Sequence, residues 1–254
     1  MIQRRVGLVI LMLGFLLLGC GGYSLKIPPK ESVSAEAVEP PTSSVSSDEV
    51  KVRFLHATPG MNRVNVNCNR KSLFTAVGYG ESSGYQSVPK GDHWFEVLSN
   101  VQAARVISRR AVTFHLFSRY TTIFVPRENE TILLTVPDES ESSDGRGKIR
   151  VVNGMQDSIP LDFKLSDGRG APFFSGLGAF RASKYKEIQP GSYSFVFSPM
   201  GGKGVVIGMD TLEIKANGRY TILLFGTLKP KDEFPSKVRV FRDDVQQGKS
   251  YIEL

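Results

Sequence analysis

The sequence predicts an all-β protein: two tandem immunoglobulin-like β-sandwich domains that follow an N-terminal export segment and a disordered tether. First, 25 Gly and 14 Pro among 254 residues are the turn-rich balance that short strands require. Second, runs of about five to eight residues alternate with period two, and no longer stretch of the mature chain shows a helical stripe of apolar residues. Third, the pattern occurs twice.

The internal repeat is read from matched residues in one order. Lys51-Val52-Arg53-Phe54-Leu55 reappears 97 positions later as Lys148-Ile149-Arg150-Val151-Val152, and the alternating Val64, Val66 and Cys68 reappear as Leu161, Phe163 and Leu165. Beyond a three-residue insertion the offset is 100, and the matched pairs are Gly78 with Gly178, Tyr85 with Tyr185, Val88 with Ile188, Gly91 with Gly191, Phe95 with Phe195, Val97 with Phe197, and Arg119-Tyr120-Thr121 with Arg219-Tyr220-Thr221. Each copy then forms one sandwich.

The N-terminus has the features of a signal peptide. Residues 1–5 form a short basic start through Arg4 and Arg5, and residues 6–18 are apolar or Gly, a run shorter than the roughly 20 residues that span a bilayer. Leu17, Leu18, Gly19 and Cys20 then resemble the lipobox of bacterial lipoprotein precursors. The resemblance implies cleavage before Cys20 and acyl chains on its thiol, which attach the protein to a membrane. An ordinary secretory signal or an anchor with an incidental cysteine is the alternative.

These features divide the chain. We predict a lipoprotein signal peptide over 1–19, the lipidated Cys20 and a flexible tether over 20–49, and the first β-sandwich domain over 50–137. A linker over 138–147, a second sandwich over 148–244 and a C-terminal tail over 245–254 complete the chain. Gly21 follows the cysteine, and by resemblance to the sorting rule of enteric bacteria it implies the outer membrane, facing the periplasm or the cell surface.

The charge distribution bears on partners. Residues 50–137 carry 11 basic and 5 acidic side chains and residues 145–254 carry 17 and 11, while acidic side chains concentrate in the connecting segments. Basic domains favour attraction to anionic envelope material such as lipid head groups or acidic polysaccharide. A solvated surface without a particular partner is the alternative. Export makes nucleic acid an unsuitable partner, and an envelope protein is a further candidate.

Cys68 is the one thiol left once Cys20 is lipidated, so we expect no intrachain disulfide in the mature protein. The repeat aligns Cys68 with Leu165 on the apolar face of its strand. We therefore predict a buried Cys that packs as a small hydrophobe, with a reactive thiol or an intermolecular bridge as the alternative.

The histidines do not form a local metal-binding pair. His56, His93 and His115 align with Asn153, Tyr193 and Lys215. His115 is expected to face outward, and His56 to make a structural hydrogen bond at a strand end. We predict no metal, no cofactor and no catalytic residue, because neither a nucleophile elbow nor a phosphate-binding loop is present.

Two tyrosines open matching apolar strands, Tyr120 and Tyr220. We predict that each packs in a core while its hydroxyl ties the strand to a neighbouring loop. Exposed aromatic contacts for sugar are the alternative. The ligand-binding residues of the domains are not identified.

Two family resemblances rest on particular residues. Residues 52–59, the alternating Val64 to Cys68, Gly80-Glu81-Ser82-Ser83-Gly84-Tyr85 and Pro89-Lys90-Gly91 resemble the DUF4397 family, which implies exported, often tandem, β-sandwich-like domains without an established activity. The second half keeps the strands and has Asn153-Gly154 in place of His56-Ala57. Arg150-Val151-Val152-Asn153 and Ile188-Gln189-Pro190-Gly191-Ser192-Tyr193 are similar, more weakly, to the periplasmic alginate O-acetylation protein AlgF.

The function expected from these observations is a non-catalytic envelope lipoprotein that binds or scaffolds another surface component. The alternative is an accessory role in exopolysaccharide O-acetylation of the alginate type, and an enzyme is the third hypothesis.

Overall fold

The computed structural model describes residues 48–100, 105–115, 117, 119–138, 144–168, 170–202, 204–228, 234–244 and 251–252, and every described strand lies in one compact unit. The strands are β1 Glu49–His56, β2 Arg63–Cys68, β3 Lys71–Gly78, β4 Gln86–Pro89, β5 Gly91–Ser99, β6 Val106–Phe114, β7 Arg119–Arg127, β8 Glu130–Pro137, β9 Gly147–Asn153, β10 Leu161–Leu165, β11 Phe174–Leu177, β12 Arg181–Ala182, β13 Lys186–Ile188, β14 Gly191–Pro199, β15 Ile207–Ile214, β16 Arg219–Phe225, β17 Lys237–Arg242 and β18 Tyr251–Ile252. Across these ranges the chain has no helix that is long and apolar enough to cross a membrane.

The first domain is a sandwich of two four-stranded sheets. Its outer sheet has the order β3-β2-β5-β6, and its inner sheet has the order β4-β1-β7-β8. Strands β1 and β7 at the centre of the inner sheet pair in parallel, with Val52 opposite Tyr120 and Phe54 opposite Thr122. The remaining pairs are antiparallel.

The second domain repeats this plan. Its outer sheet has the order β11-β10-β14-β15, and its inner sheet has the order β12-β9-β16-β17-β18 with β13 also paired to β9. Strands β9 and β16 again pair in parallel, with Ile149 opposite Tyr220. The predicted fold class, an all-β chain with tandem β-sandwich domains, is confirmed.

The side chains of the inner strands alternate between two apolar cores. In β1, Val52 and Phe54 enter the core of the first domain, whereas Leu55 faces the second domain. In β9, Val151 enters the core of the second domain and Val152 faces the first. Inner strands are therefore apolar on both faces, which is typical of a sheet that is covered on both sides.

The two inner sheets pack face to face and form a third core between the domains. It contains, besides Leu55 and Val152, the buried side chains Ala57, Ile123, Val125, Val136, Leu223, Phe225 and Phe241. Gly154 marks a close approach, since a Cβ there would lie 3.1 Å from Cγ1 of Val125. The result is a stack of four sheets, outer, inner, inner, outer, with three apolar cores.

Three sequence predictions concern the segments outside the two sandwiches: the N-terminal segment, the linker and the C-terminal tail. Residues 1–47, including Leu17, Leu18, Gly19 and Cys20, lie outside the described residues, so the signal peptide, the lipidation and the tether stay predictions. Asp138, which we expected to open the linker, is buried and follows β8 directly. Within the expected tail, Tyr251 and Ile252 pair with β17 as strand β18.

Candidate functional site

Two ion pairs cross the domain interface in opposite directions. Arg53 of the first domain binds Asp243 of the second, and Arg150 of the second binds Asp138 of the first. The four side chains are between 0% and 2% exposed. A buried charge is tolerated only when it is paired and hydrogen-bonded, so the two domains hold one another's charges.

Each arginine is also fixed by its own domain. Nε of Arg53 donates to Oγ1 of Thr121 over 2.8 Å, and Nε of Arg150 donates to Oγ1 of Thr221 over 2.8 Å. The remaining Nη1 atoms reach carbonyls across the interface, at Arg242 over 3.2 Å and at Pro137 over 2.7 Å. Every nitrogen of the two guanidinium groups therefore has a hydrogen-bond acceptor.

Each aspartate lies in a pocket built by its own domain. The hydroxyl of Tyr85 donates to Oδ2 of Asp138 over 2.6 Å, and Thr121 donates to the same oxygen over 2.8 Å. The matching groups in the second domain are Tyr185 and Thr221, which donate to Oδ2 of Asp243 over 2.5 and 2.7 Å. Together, the eight residues form what we call the interdomain network.

The ionisation states follow from this geometry. Burial alone would raise the pKa of Asp138, but attraction to Arg150 and Arg53 and the hydrogen bonds from Tyr85 and Thr121 outweigh it and hold that pKa below its ordinary value. Burial beside a carboxylate raises the pKa of the Tyr85 hydroxyl. Asp138 stays ionised, and Tyr85 and Tyr185 stay neutral at ordinary pH, so these groups act as fixed structural elements.

The structure assigns His56 a structural role at a turn. His56 is fully buried, its Nε2 lies 2.9 Å from the carbonyl of Met61, and its Nδ1 accepts the N–H of Thr58 over 3.3 Å. Burial lowers the pKa of His56 to about 4, so the ring is neutral. The expected structural hydrogen bond at the strand end is confirmed.

The second domain performs the same task without an imidazole. Asn153 stands at the equivalent position, its Oδ1 accepts the N–H of Met155 over 3.2 Å, and its Nδ2 donates to Ser158 over 2.7 Å. The partners lie two and five residues further along the chain, as they do for His56. The turn therefore needs a side chain with one donor and one acceptor, and the acid-base chemistry of histidine is not required.

Cys68 and His93 meet at the rim of the first core. Sγ of Cys68 lies 3.6 Å from Nδ1 of His93, and both residues line a cleft of about 320 Å³. Burial raises the pKa of the thiol, which disfavours the reactive thiolate. Cys68 packs against the core but is half-buried, less than we expected from its match with Leu165.

His93 also has a structural counterpart in the second domain. Its Nε2 lies 2.8 Å from the carbonyl of Pro89, and the hydroxyl of Tyr193 likewise donates to the carbonyl of Gln189 over 3.0 Å. Both rings tie a strand to the turn four residues earlier. Within the described part of the chain, no three His, Cys, Asp or Glu side chains are grouped to hold a metal ion.

Tyr120 and Tyr220 are packing residues, as predicted. Both rings are buried in the cores of their domains. The hydroxyl of Tyr120 accepts the backbone N–H of Phe117 over 3.2 Å, and the hydroxyl of Tyr220 accepts that of Lys215 over 3.0 Å. His115 is exposed, also as predicted.

A surface that the sequence analysis missed lies on the outer sheet of the first domain. In β5, His93, Phe95 and Val97 enter the core, so Trp94 between them points outward and is 49% exposed. Its cross-strand neighbour is Ala111. The guanidinium of Arg109 lies over the indole, 4.7 Å from the ring centroid.

Polar groups surround this indole. Glu96 lies opposite Arg109 on one side and Asn67 on the other, and its carboxylate is 3.5 Å from the guanidinium. Oδ1 of Asp92 accepts the hydroxyl of Thr113 over 2.6 Å. We call the surface formed by Asn67, Asp92, Trp94, Glu96, Arg109 and Ala111 the Trp94 face. The alternation that places Phe95 and Val97 in the core already implied an outward Trp94.

Fold and site together define a class of protein: a tandem β-sandwich whose domains are joined through reciprocal buried arginine-aspartate pairs. A family model described as a domain of unknown function, DUF4397, matches the chain twice, over residues 50–164 and 147–252. The chain belongs to this family, and each half of the repeat has its own match. No curated protein matches the chain.

Proposed function

We propose that the chain is a membrane-anchored lipoprotein of the bacterial cell envelope that binds another envelope component without catalysis. The observation that carries the binding role is the Trp94 face, because a large exposed aromatic side chain on a rigid sheet is the usual anchor of a binding surface. The interdomain network holds the inner sheet of the first domain, and the outer sheet that presents the Trp94 face packs on that inner sheet through the first core.

The non-catalytic part of the proposal rests on the repeat. The turn held by His56 in one domain is held by Asn153 in the other, and the ring of His93 is replaced by that of Tyr193. The residues of the second domain make the same hydrogen bonds as the two histidines, but they lack an imidazole that could transfer protons near neutral pH. Such a pattern supports structural roles for both histidines.

The anchoring part of the proposal rests on Leu17, Leu18, Gly19 and Cys20. Two or more acyl chains give stable membrane attachment, and Gly21 favours the outer membrane. The approximately 28 residues between the lipid and the first strand would then allow the β-domains to work away from the bilayer.

Metabolic labelling with palmitate tests the anchor, and the two cysteines supply a matched pair. Wild type and Cys68→Ala should incorporate label and sediment with membranes, whereas Cys20→Ala should lose the label and leave the membrane fraction as a folded protein. Circular dichroism checks the fold. Equal labelling of the Cys20→Ala variant and the wild type would remove lipidation from the proposal.

The accessory role in exopolysaccharide O-acetylation receives no specific support from the site. The residues that resemble AlgF include Arg150, which is a member of the interdomain network, and Gly191, which begins β14 with a positive φ of 152°. Both serve the framework. Acetyltransferase and polysaccharide assembly genes beside this gene would favour the accessory role, and their absence would count against it.

A further inference from the structure

We propose that the Trp94 face binds a neutral polysaccharide, one sugar ring stacking on the indole while its hydroxyls bond the polar groups alongside. This inference rests on the proposed function and names the ligand class of the same surface. Trp94 offers apolar ring area, and the C–H faces of a pyranose are its natural complement.

The indole is held ready for such a contact. Arg109 lies over the ring, the backbone N–H of Trp94 donates to Oδ1 of Asn69, and the carbonyl of Trp94 accepts the N–H of Asn69. Ala111 carries only a methyl group across from the indole, so Arg109 is the residue of the adjacent strand that covers part of the ring. A pre-oriented aromatic side chain loses little conformational entropy on binding.

Hydrogen-bonding groups continue in a row across the four strands. Ser72, Asn67, Glu96 and Arg109 are consecutive cross-strand neighbours from β3 through β2 and β5 to β6. With neighbouring strands spaced by about 4.8 Å, the row is about 14 Å long. An amide, a hydroxyl, a carboxylate and a guanidinium can together donate to and accept from sugar hydroxyls, over a length that suits an extended polymer.

The charges of the face favour a neutral ligand. The carboxylate of Glu96 is paired with Arg109, and Asp92 accepts a hydrogen bond from Thr113. A polyanion would therefore meet two carboxylates and one guanidinium that is already paired. The positive charge of the chain as a whole attracts acidic polymers weakly and without a site, whereas this face has no cationic excess of its own.

Other occupants fit the face less well. A lipid surface would have to receive Asp92 and Glu96, which are costly to remove from water. A protein partner of ordinary size buries about 800 Å² on each side around an apolar centre. Here one indole is surrounded by charged and amide side chains.

The second domain provides the comparison within the chain. Ser194 and Thr211 stand at the positions of Trp94 and Ala111, and their hydroxyl oxygens lie 3.0 Å apart. Ser192 and Val196 replace Asp92 and Glu96. The same strands thus fold without an aromatic side chain, and the equivalent face of the second domain lacks the proposed stacking group.

The experiment is a titration of the full chain with dextran, laminarin and galactomannan as neutral polymers and with alginate as the acidic one. Trp94 is the only tryptophan of the chain, so its emission reports directly on the face. Calorimetry measures affinity for the wild type, for Trp94→Ser, which installs the residue of the second domain, and for Met200→Ser as a control. Met200 is 61% exposed and belongs to the second domain.

At least one neutral polymer should shift the emission and bind, with an affinity that changes little between about 0.05 and 0.5 M salt. Trp94→Ser should weaken binding at least tenfold, equivalent to about 1.4 kcal/mol, and Met200→Ser should leave it unchanged. The inference is overturned if no neutral polymer binds, if Trp94→Ser binds as tightly as wild type, or if alginate alone binds and releases with salt.

The failure of this inference is distinct from that of the proposed function. If palmitate labelling requires Cys20 but no neutral polymer binds, the anchored lipoprotein stands without this ligand. If a polymer binds through Trp94 but Cys20 carries no lipid, the ligand stands and the anchor fails.

Discussion

The two domains match closely on the inner sheets where they meet and differ on the outer sheets where they face solvent. Arg53, Thr121 and Tyr85 have identical counterparts in Arg150, Thr221 and Tyr185, and each set makes the same hydrogen bonds. By contrast, the position of Trp94 in the first domain is occupied by Ser194 in the second domain. Equivalent positions that carry the same residue in both domains therefore belong to the shared structural framework. Equivalent positions that carry different residues indicate where the two domains have separate functions.

The largest expected effect comes from breaking one reciprocal ion pair. Arg53→Ala leaves Asp243 buried without its cation, and Arg150→Ala does the same to Asp138. Each change should lower the free energy of unfolding by about 3–5 kcal/mol, and the two should agree because their surroundings match. Urea unfolding of the full chain at neutral pH measures both.

Arg63→Ala is the matched control for these two variants. Its ion pair with Glu81 is 3.6 Å long and the arginine side chain is 50% exposed, so the loss should stay below about 1 kcal/mol. A loss of that small size for Arg53 or Arg150, or a large loss for only one of them, would contradict the symmetry of the interdomain network.

The next effect separates the two turns by pH. The ordinary pKa of His56, 6.5, falls to about 4 in the folded chain because burial disfavours the charged ring. The unfolded chain therefore takes up this proton below about pH 6.5 and the folded chain does not, so stability is full above that pH and declines between pH 6.5 and 4. The decline from this residue is on the order of 3 kcal/mol.

His56→Asn, which copies Asn153 of the second domain, should remove that part of the pH dependence while preserving the turn. Unfolding free energies of wild type and variant from pH 7 to about 4.5 give the comparison. An unchanged slope in the variant would show that His56 is not the group responsible.

The smallest effect concerns the tyrosine hydroxyls of the interdomain network. Tyr85→Phe and Tyr185→Phe each remove one hydrogen bond to a buried carboxylate, which should cost about 2 kcal/mol. The control is Tyr193→Phe, whose hydroxyl bonds an exposed carbonyl, with an expected cost below about 0.5 kcal/mol. Denaturant midpoints resolve this difference, and equal losses at Tyr85 and Tyr193 would contradict a network held by its carboxylates.

The framework was readable from the sequence where the physics is local. Alternating apolar residues predicted the strands, the repeat predicted that both halves share one plan, and Tyr120 and Tyr220 were correctly interpreted as packing residues. Trp94 could have been found by the same reasoning. Its neighbours match the core residues of the second domain, so alternation alone places the indole on the outside.

The interdomain network could not be read in this way. Period-two alternation shows that Arg53 and Leu55 share a face of β1, but not that the second domain covers this face. Asp138 lies in a segment whose composition favours a linker, and its partner Arg150 belongs to the other domain. A charged residue in an apolar strand indicates that a buried ion pair is present, but it does not show which residue is the partner of opposite charge.

By itself, the sequence determined the strands, the turns and the twofold repetition, because these depend on residues close together along the chain. It also supplied the lipobox around Cys20, which stays a prediction. Only the tertiary structure decided that the domains join through their inner sheets, that Arg53 and Arg150 exchange partners, and that the parallel pairs β1 with β7 and β9 with β16 lie at the centres. These contacts link residues far apart in sequence, and burial makes their pairing obligatory.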